Sequence, residues 1–171
     1  GWDKLTLLRS IAQIPGIYVP SFYEPVYDET GRFQRMAVIE PDVPHRITRR
    51  VVKDLEHAPY IGKPIVPYMS IVHDRIALEL FRGCTRGCRF CQAGFIYRPI
   101  RERNRETVME QARELIACTG YDEVSLFSLS SGDYSEIHTL VPEIMDEFEK
   151  KRVSISFPSL RIDAFMKDDL E

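Results

Sequence analysis

From residue 75 onward the apolar residues alternate between a two-residue period and a helical period, and this confines the chain to a small set of folds. Residues 75–81 alternate, with Ile76, Leu78 and Leu80 on one side. Residues 105–119 then carry Val108, Ala112, Leu115 and Ile116 as one helical stripe, with Asn104 placed to cap its start and Gly120 to end it. A second strand is predicted at 123–129, a second helix over Ile137, Leu140, Val141, Ile144, Met145 and Phe148, and a third strand at 153–157. Pro142 lies inside the second helical stripe, so that helix is expected to kink or restart there. Strands and helices in this order imply an α/β fold with a parallel sheet, or part of a βα barrel. In right-handed βα units the C-terminal ends of the strands share one edge. The cysteine-bearing loop at 82–91, the turn Ser130-Ser131-Gly132-Asp133 and the segment Pro158-Ser159-Leu160-Arg161 each follow a strand. They are therefore expected to gather at one rim, where such sheets bind ligands.

Residues 1–74 differ in character, since they hold eight of the eleven prolines, too many for long helices or central strands. A short helix is predicted at 3–13, with Leu5, Leu8 and Ala12 on one face and Pro15-Gly16 ending it. Two strands are predicted at 17–27 and 32–39, joined by a turn through residues 28–31. A second short helix is expected at 49–56 and an extended linker at 59–67. The chain thus divides into a Pro-rich α+β segment, 1–74, and a βα segment, 75–171. The balance of 23 basic against 26 acidic residues argues against a general nucleic-acid coat or a membrane-surface binder. No apolar run approaches the roughly 20 residues that span a bilayer, and Gly1-Trp2-Asp3-Lys4 shows neither an initiator Met nor a leader pattern. A soluble cytoplasmic protein, lacking its true N-terminus, is the expectation.

Three of the four cysteines fall within eight residues, Cys84-Thr85-Arg86-Gly87-Cys88-Arg89-Phe90-Cys91. A disulfide scaffold would spread its cysteines to close loops, so metal binding in a reducing compartment is the better reading. Gly83 and Gly87 are expected to let the backbone turn tightly so that the three thiolates converge. Three cysteines can hold three irons of a 4Fe-4S cube and leave the fourth iron open to chelate the amino and carboxylate groups of a methionine-like molecule. Arg82, Arg86 and Arg89 surround the loop and are expected to lower the thiol pKa values and offset negative charge. Two other readings compete. The spacing also fits one face of a helix, where buried cysteines would be inert packing, but two glycines and several arginines argue against a buried helix face. Three cysteines and a histidine could instead bind zinc, with His73 as the nearest candidate. Cys118 stands apart in a helical pattern and is expected to be a small buried residue. Arg98, Arg101, Arg103 and Arg105, with Glu102 and Glu106, read as a solvated charged face, with contact to a phosphate-bearing substrate as the alternative.

The run from Arg75 through Cys84, and on to Cys91-Gln92-Ala93-Gly94, resembles the first strand and cluster loop of the radical S-adenosylmethionine (SAM) superfamily. More narrowly, the chain resembles members that couple this core to an N-terminal cobalamin-binding domain. The segments Ile14-Pro15-Gly16-Ile17-Tyr18-Val19-Pro20, Ser130-Ser131-Gly132-Asp133-Tyr134 and Pro158-Ser159-Leu160-Arg161-Ile162-Asp163 extend that likeness over nearly the whole chain. The resemblance implies a 4Fe-4S cluster on Cys84, Cys88 and Cys91, bound SAM, and a reducing partner such as flavodoxin or ferredoxin. It implies that Phe90 packs near the adenine, core packing being the alternative. The turn usually reads Gly-Gly-Glu; here Ser130, Ser131, Gly132 and Asp133 keep small residues and one acid, so backbone contact to the SAM amino end carries over better than any side-chain role. Asp133 could instead cap the next helix, with Glu136 completing a capping box. Ser159 and Arg161 fall at the rim, where Arg161 could hold the SAM carboxylate or pair with Asp163. The implied fold is the first three units of a (β/α)6 barrel resembling a TIM barrel. Residues 1–74 would then be the link after a missing cobalamin-binding domain, and the later strands that build the substrate pocket would lie beyond Glu171. Catalytic side chains, substrate and reaction subtype are not legible.

Overall fold

The computed structural model describes Gly1 and residues 3–161. The chain divides into two compact units, Gly1–Val52 and Lys53–Glu171.

In the first unit α1 (Lys4–Ala12) starts at Asp3, whose carboxylate accepts from the Leu5 N–H at 2.8 Å, one of the donors a helix start leaves unpaired. Ala12 is buried and Leu8 half-buried, but Leu5 is exposed, so the predicted apolar face is narrower than its spacing suggests. Only the end of the predicted 17–27 strand forms, as β1 (Tyr23–Tyr27), because Pro20 opens a 3-10 turn, Pro20–Phe22. Antiparallel to it runs β2 (Phe33–Val38). Asp28 closes the hairpin by accepting from the Thr30 and Arg32 N–H groups, both at 2.9 Å. Ala12, Val19, Phe22, Tyr23 and Val43 form this unit's small core.

In the second unit three parallel strands form a sheet in the order β3 (Ile76–Glu79), β6 (Glu123–Phe127), β7 (Ser154–Ser156). Ile76 pairs with Val124, Leu78 with Leu126, and Val124 with Ile155, so all three C-terminal ends lie along one edge, as the alternation predicts. Between them come α3 (Arg105–Thr119) and α4 (Ile137–Phe148). Val108, Met109, Ala112, Leu115 and Ile116 of α3 and Leu140, Ile144 and Phe148 of α4 bury against Leu78, Leu80, Val124 and Leu126, forming the main core. Gly120 ends α3 in the left-handed conformation, at φ 71°. Asn104 begins α3, but its side chain caps nothing; its own N–H donates to Glu56 at 2.7 Å, and Glu136 takes the Arg105 N–H. Helix α4 runs through Pro142 without restarting. The carbonyl deprived of its partner belongs to His138, an exposed residue, so water can serve it.

Two short strands that the periodicity does not show frame the rim. The chain leaves β3 and forms β4 (Phe81–Arg82), which pairs antiparallel with β5 (Arg101–Glu102). Residues 83–100 are thereby an excursion with both ends tied, and they include a one-turn helix, α2 (Ala93–Ile96). Residues 49–56 form no helix. The Asp54 carboxylate takes the His57 N–H at 3.2 Å, a local bond that competes with helix, while the Leu55 and Glu56 carbonyls accept from Arg103. Residues 59–67 have no helix or strand, and they run beside α3: Tyr60 donates to Glu114, and the Cys118 thiol to the Gly62 carbonyl at 3.2 Å. Among the described residues no helix is long and apolar enough to cross a membrane.

Candidate metal centre

The cysteine loop is held by close backbone approach at two glycines. Gly83 has φ 101°, and a Cβ there would lie 2.5 Å from both the Tyr97 and Pro99 carbonyl oxygens. A Cβ on Gly94 would lie 2.0 Å from the Arg86 carbonyl oxygen. Gly87, by contrast, has open space around it and no left-handed φ, so the tight turn expected there belongs to Gly83 instead. Cys84 is buried and its Sγ accepts the Arg86 N–H at 3.4 Å; Cys88 and Cys91 are half-buried and joined by a turn, the Cys91 N–H donating to the Cys88 carbonyl at 3.0 Å. Residues 83–91 contain no helix, which removes the reading of the three cysteines as one helix face.

Among the described residues no three Cys, His, Asp or Glu side chains are gathered as a metal-holding group. The three thiols share a loop but are not converged. As a donor set they fit an iron–sulfur cluster: three soft sulfurs, on a stretch whose intervening residues 85–87 and 89–90 are exposed and free of regular structure. His73, the candidate fourth ligand of a zinc site, has its Nδ1 2.7 Å from the Arg75 guanidinium, before β3 starts, whereas the cysteines follow β4.

A cavity of about 460 Å³ opens between the cysteine loop and the turn after β6, lined by Cys84, Thr85, Arg86, Ser130, Gly132 and Asp133 among others. Two of the three expected rim segments therefore face one space. The third is tied to it: the Ser131 N–H donates to the Ser159 carbonyl at 2.9 Å. Ser131 itself turns away, its hydroxyl donating to the Leu126 carbonyl at 2.8 Å. Among the described residues Ser130 Oγ is buried and makes no hydrogen bond of ordinary geometry, although it is near enough to the Asp133 carboxylate to help lower that group's pKa; a bound molecule could satisfy it more fully.

Asp133 does not cap α4, whose N-cap is Glu136; its carboxylate instead receives a two-pronged contact from Arg86, with Nε 2.8 Å from Oδ2 and the second prong to Oδ1. That contact holds the Asp133 pKa below the ordinary carboxylate range, against the opposing effect of burial, and the Arg161 charge acts in the same direction. Ile162 and Asp163 lie outside the described residues. Phe90 is 94% exposed, so it is not core packing.

The other arginines divide. Arg82 is taken up by Glu79, with Nε 2.5 Å from Oε1, which makes it a poor counter-charge for the thiols. Arg103, read from sequence as solvated, is 2% exposed and donates to the Leu55 carbonyl at 2.7 Å and to the Glu56 and Ala58 carbonyls. Arg105 pairs with Glu106, Glu136 and Glu143. Cys118 is exposed rather than buried, at the margin of the α3 stripe.

The model of the radical SAM superfamily matches residues 78–171, more than half of the chain and the whole of the cysteine loop. The chain belongs to the radical SAM superfamily. An uncharacterised protein of Methanocaldococcus jannaschii is 40% identical over 93 residues, which are 54% of this chain and 20% of that protein. The chain therefore spans about a fifth of the length of that relative. No solved structure matches. The mixed α/β architecture with its parallel sheet is consistent with the radical SAM fold, and radical SAM proteins are in general catalytic, using SAM and a reductant.

Proposed function

We propose that this chain is the cluster-binding part of a radical SAM enzyme, with Cys84, Cys88 and Cys91 as ligands to a 4Fe-4S cluster and SAM seated between the cysteine loop and the turn after β6. The observation that carries this reading is the cavity that Cys84 shares with Ser130, Gly132 and Asp133. A cluster held by three cysteines supplies one open iron and, when reduced, the cleavage of SAM to methionine and a 5′-deoxyadenosyl radical. The remaining work is done by the chain. Cys88 and Cys91 close toward Cys84 by movement of the exposed residues between them. Ser130 and Gly132 offer hydrogen-bonding groups to the SAM amino end, and Asp133, already engaged by Arg86, contributes through its backbone. Arg161 would receive the SAM carboxylate, with Ser159 near it in sequence; its charge effect on Asp133 supports a position near the cavity. The exposed ring of Phe90 is available to pack on the adenine.

In this reading the three parallel strands begin a (β/α)6 barrel, residues 75–171 are its N-terminal half, and residues 1–74 follow a cobalamin-binding domain in the full-length protein. Flavodoxin or ferredoxin supplies the electron. The likeness at residues 14–20 supports the cobalamin element, and the alternation of strands and helices supports the barrel. The competing reading is a non-catalytic iron–sulfur or zinc-binding module; its zinc form lacks support from His73, whose ring is engaged by Arg75, and its iron–sulfur form predicts a cluster that does not respond to SAM. The test is anaerobic reconstitution with iron and sulfide. About four irons per chain are expected, falling by most of that number in Cys84→Ala, Cys88→Ala or Cys91→Ala and unchanged in Cys118→Ala. With a strong reductant and SAM the loaded protein should form 5′-deoxyadenosine. Full iron retention by Cys88→Ala would overturn the ligand assignment.

A further inference from the structure

Arg86 sits between the first two cysteines and is fixed at three of its atoms. Its N–H meets Cys84 Sγ at 3.4 Å, its carbonyl oxygen leaves no room for a side chain at position 94, and its guanidinium grips Asp133 with a fork, at 2.8 Å for Nε. A planar fork against a carboxylate fixes direction as well as distance. Asp133 belongs to the 3-10 turn Ser131–Asp133, which is itself anchored by the Ser131 bonds to Leu126 and Ser159. The cysteine loop is thus moored to a hydrogen-bonded turn across the cavity.

We propose that Arg86 is a positioning residue, whose pair with Asp133 latches the cysteine loop to the turn after β6 and thereby sets Cys84 where the cluster and SAM must meet. The proposal rests on the function inferred above. It also explains why an acid with a shorter reach suffices in the turn after β6: the Asp133 carboxylate serves the latch, and the cavity-lining Ser130 and Gly132 are left for a ligand. Without the latch the segment 85–90, which has no other regular structure, swings outward and exposes Cys84.

The first test uses iron-free protein and so does not depend on cluster chemistry. Alkylation by iodoacetamide is followed by mass spectrometry at Cys84, with the exposed Cys118 of the same molecule as reference. Arg86→Gln and Asp133→Asn should each speed Cys84 about fivefold, the factor that roughly 1 kcal/mol of pairing represents. Asp133→Glu, which keeps the charge, should stay near wild type. The double variant should also be about fivefold faster, because both changes break one contact; independent effects would multiply to about 25-fold. Unchanged Cys84 rates in the single variants, or a multiplied rate in the double, would overturn the latch. In a second arm, iron release to a chelator from reconstituted protein should quicken in the same variants. Wild-type protein that takes up no iron would overturn the function and leave the alkylation result to decide the latch.

Discussion

Replacing Gly83 with alanine places a methyl group where two carbonyl oxygens already sit. The φ of 101° is one that an L-residue rarely adopts, at a cost of about 1–3 kcal/mol. The new Cβ would lie 2.5 Å from the Tyr97 and Pro99 oxygens, and a backbone contact under 3.0 Å forces something to shift. Tied ends leave little slack for that shift, since β4 and β5 pair through Phe81–Glu102 and Arg82–Arg101. Overpacking of this kind costs about 1–3 kcal/mol. The combined effect is about 2–6 kcal/mol, a large share of the 5–15 kcal/mol that ordinary domains possess. Gly87→Ala is the matched control, in the same loop but with open space and no left-handed φ. Urea unfolding followed by far-UV circular dichroism should show a loss of at least about 2 kcal/mol for Gly83→Ala, and a change within about 0.5 kcal/mol for Gly87→Ala. Equal stability of the two variants would refute the reasoning that Gly83 is the hinge of the loop.

Phe148→Ala, which empties a site 2% exposed beneath the sheet, should lower stability by about 3–5 kcal/mol in the same unfolding assay. Arg103→Met should cost about 3 kcal/mol or more, because it strands the Leu55 carbonyl that the buried guanidinium serves, and limited proteolysis should then cut within residues 53–67. The Asp133 carboxyl is lowered by Arg86 from an ordinary value of 3.8, so its stabilisation is present above that pH and is lost as the pH falls through the folded value. Urea unfolding between pH 2 and 7 should therefore show a steeper acid loss in wild type than in Asp133→Asn; identical profiles would exclude the pair as a source of acid sensitivity.

The parallel order of the sheet was legible because Ile76, Leu78 and Leu80 alternate and Val108, Ala112, Leu115 and Ile116 recur at helical spacing, and all of these are buried. Strands β4 and β5 were not, since two residues each are too few to show a period. Arg103 carried no local sign of burial; the carbonyls that satisfy it come from residues 55, 56 and 58, far back in the chain. Asp133 read as a cap because Glu136 follows at the right spacing, yet Arg86 takes its carboxylate from 47 residues away. The helix expected at 49–56 fails for the same kind of reason, as the polar groups of Asp54 and Glu56 find partners that a propensity argument does not contain. At the site the spacing of Cys84, Cys88 and Cys91 was plain, whereas which turn the loop faces depended on the fold.

The most direct measurement is electron paramagnetic resonance of the anaerobically reconstituted, dithionite-reduced protein before and after addition of SAM. A cluster on Cys84, Cys88 and Cys91 with an open iron gives a reduced 4Fe-4S signal whose g-values shift when SAM binds, and Cys88→Ala abolishes it. A colourless zinc-loaded protein, or a reduced cluster signal that SAM leaves unmoved, would contradict it.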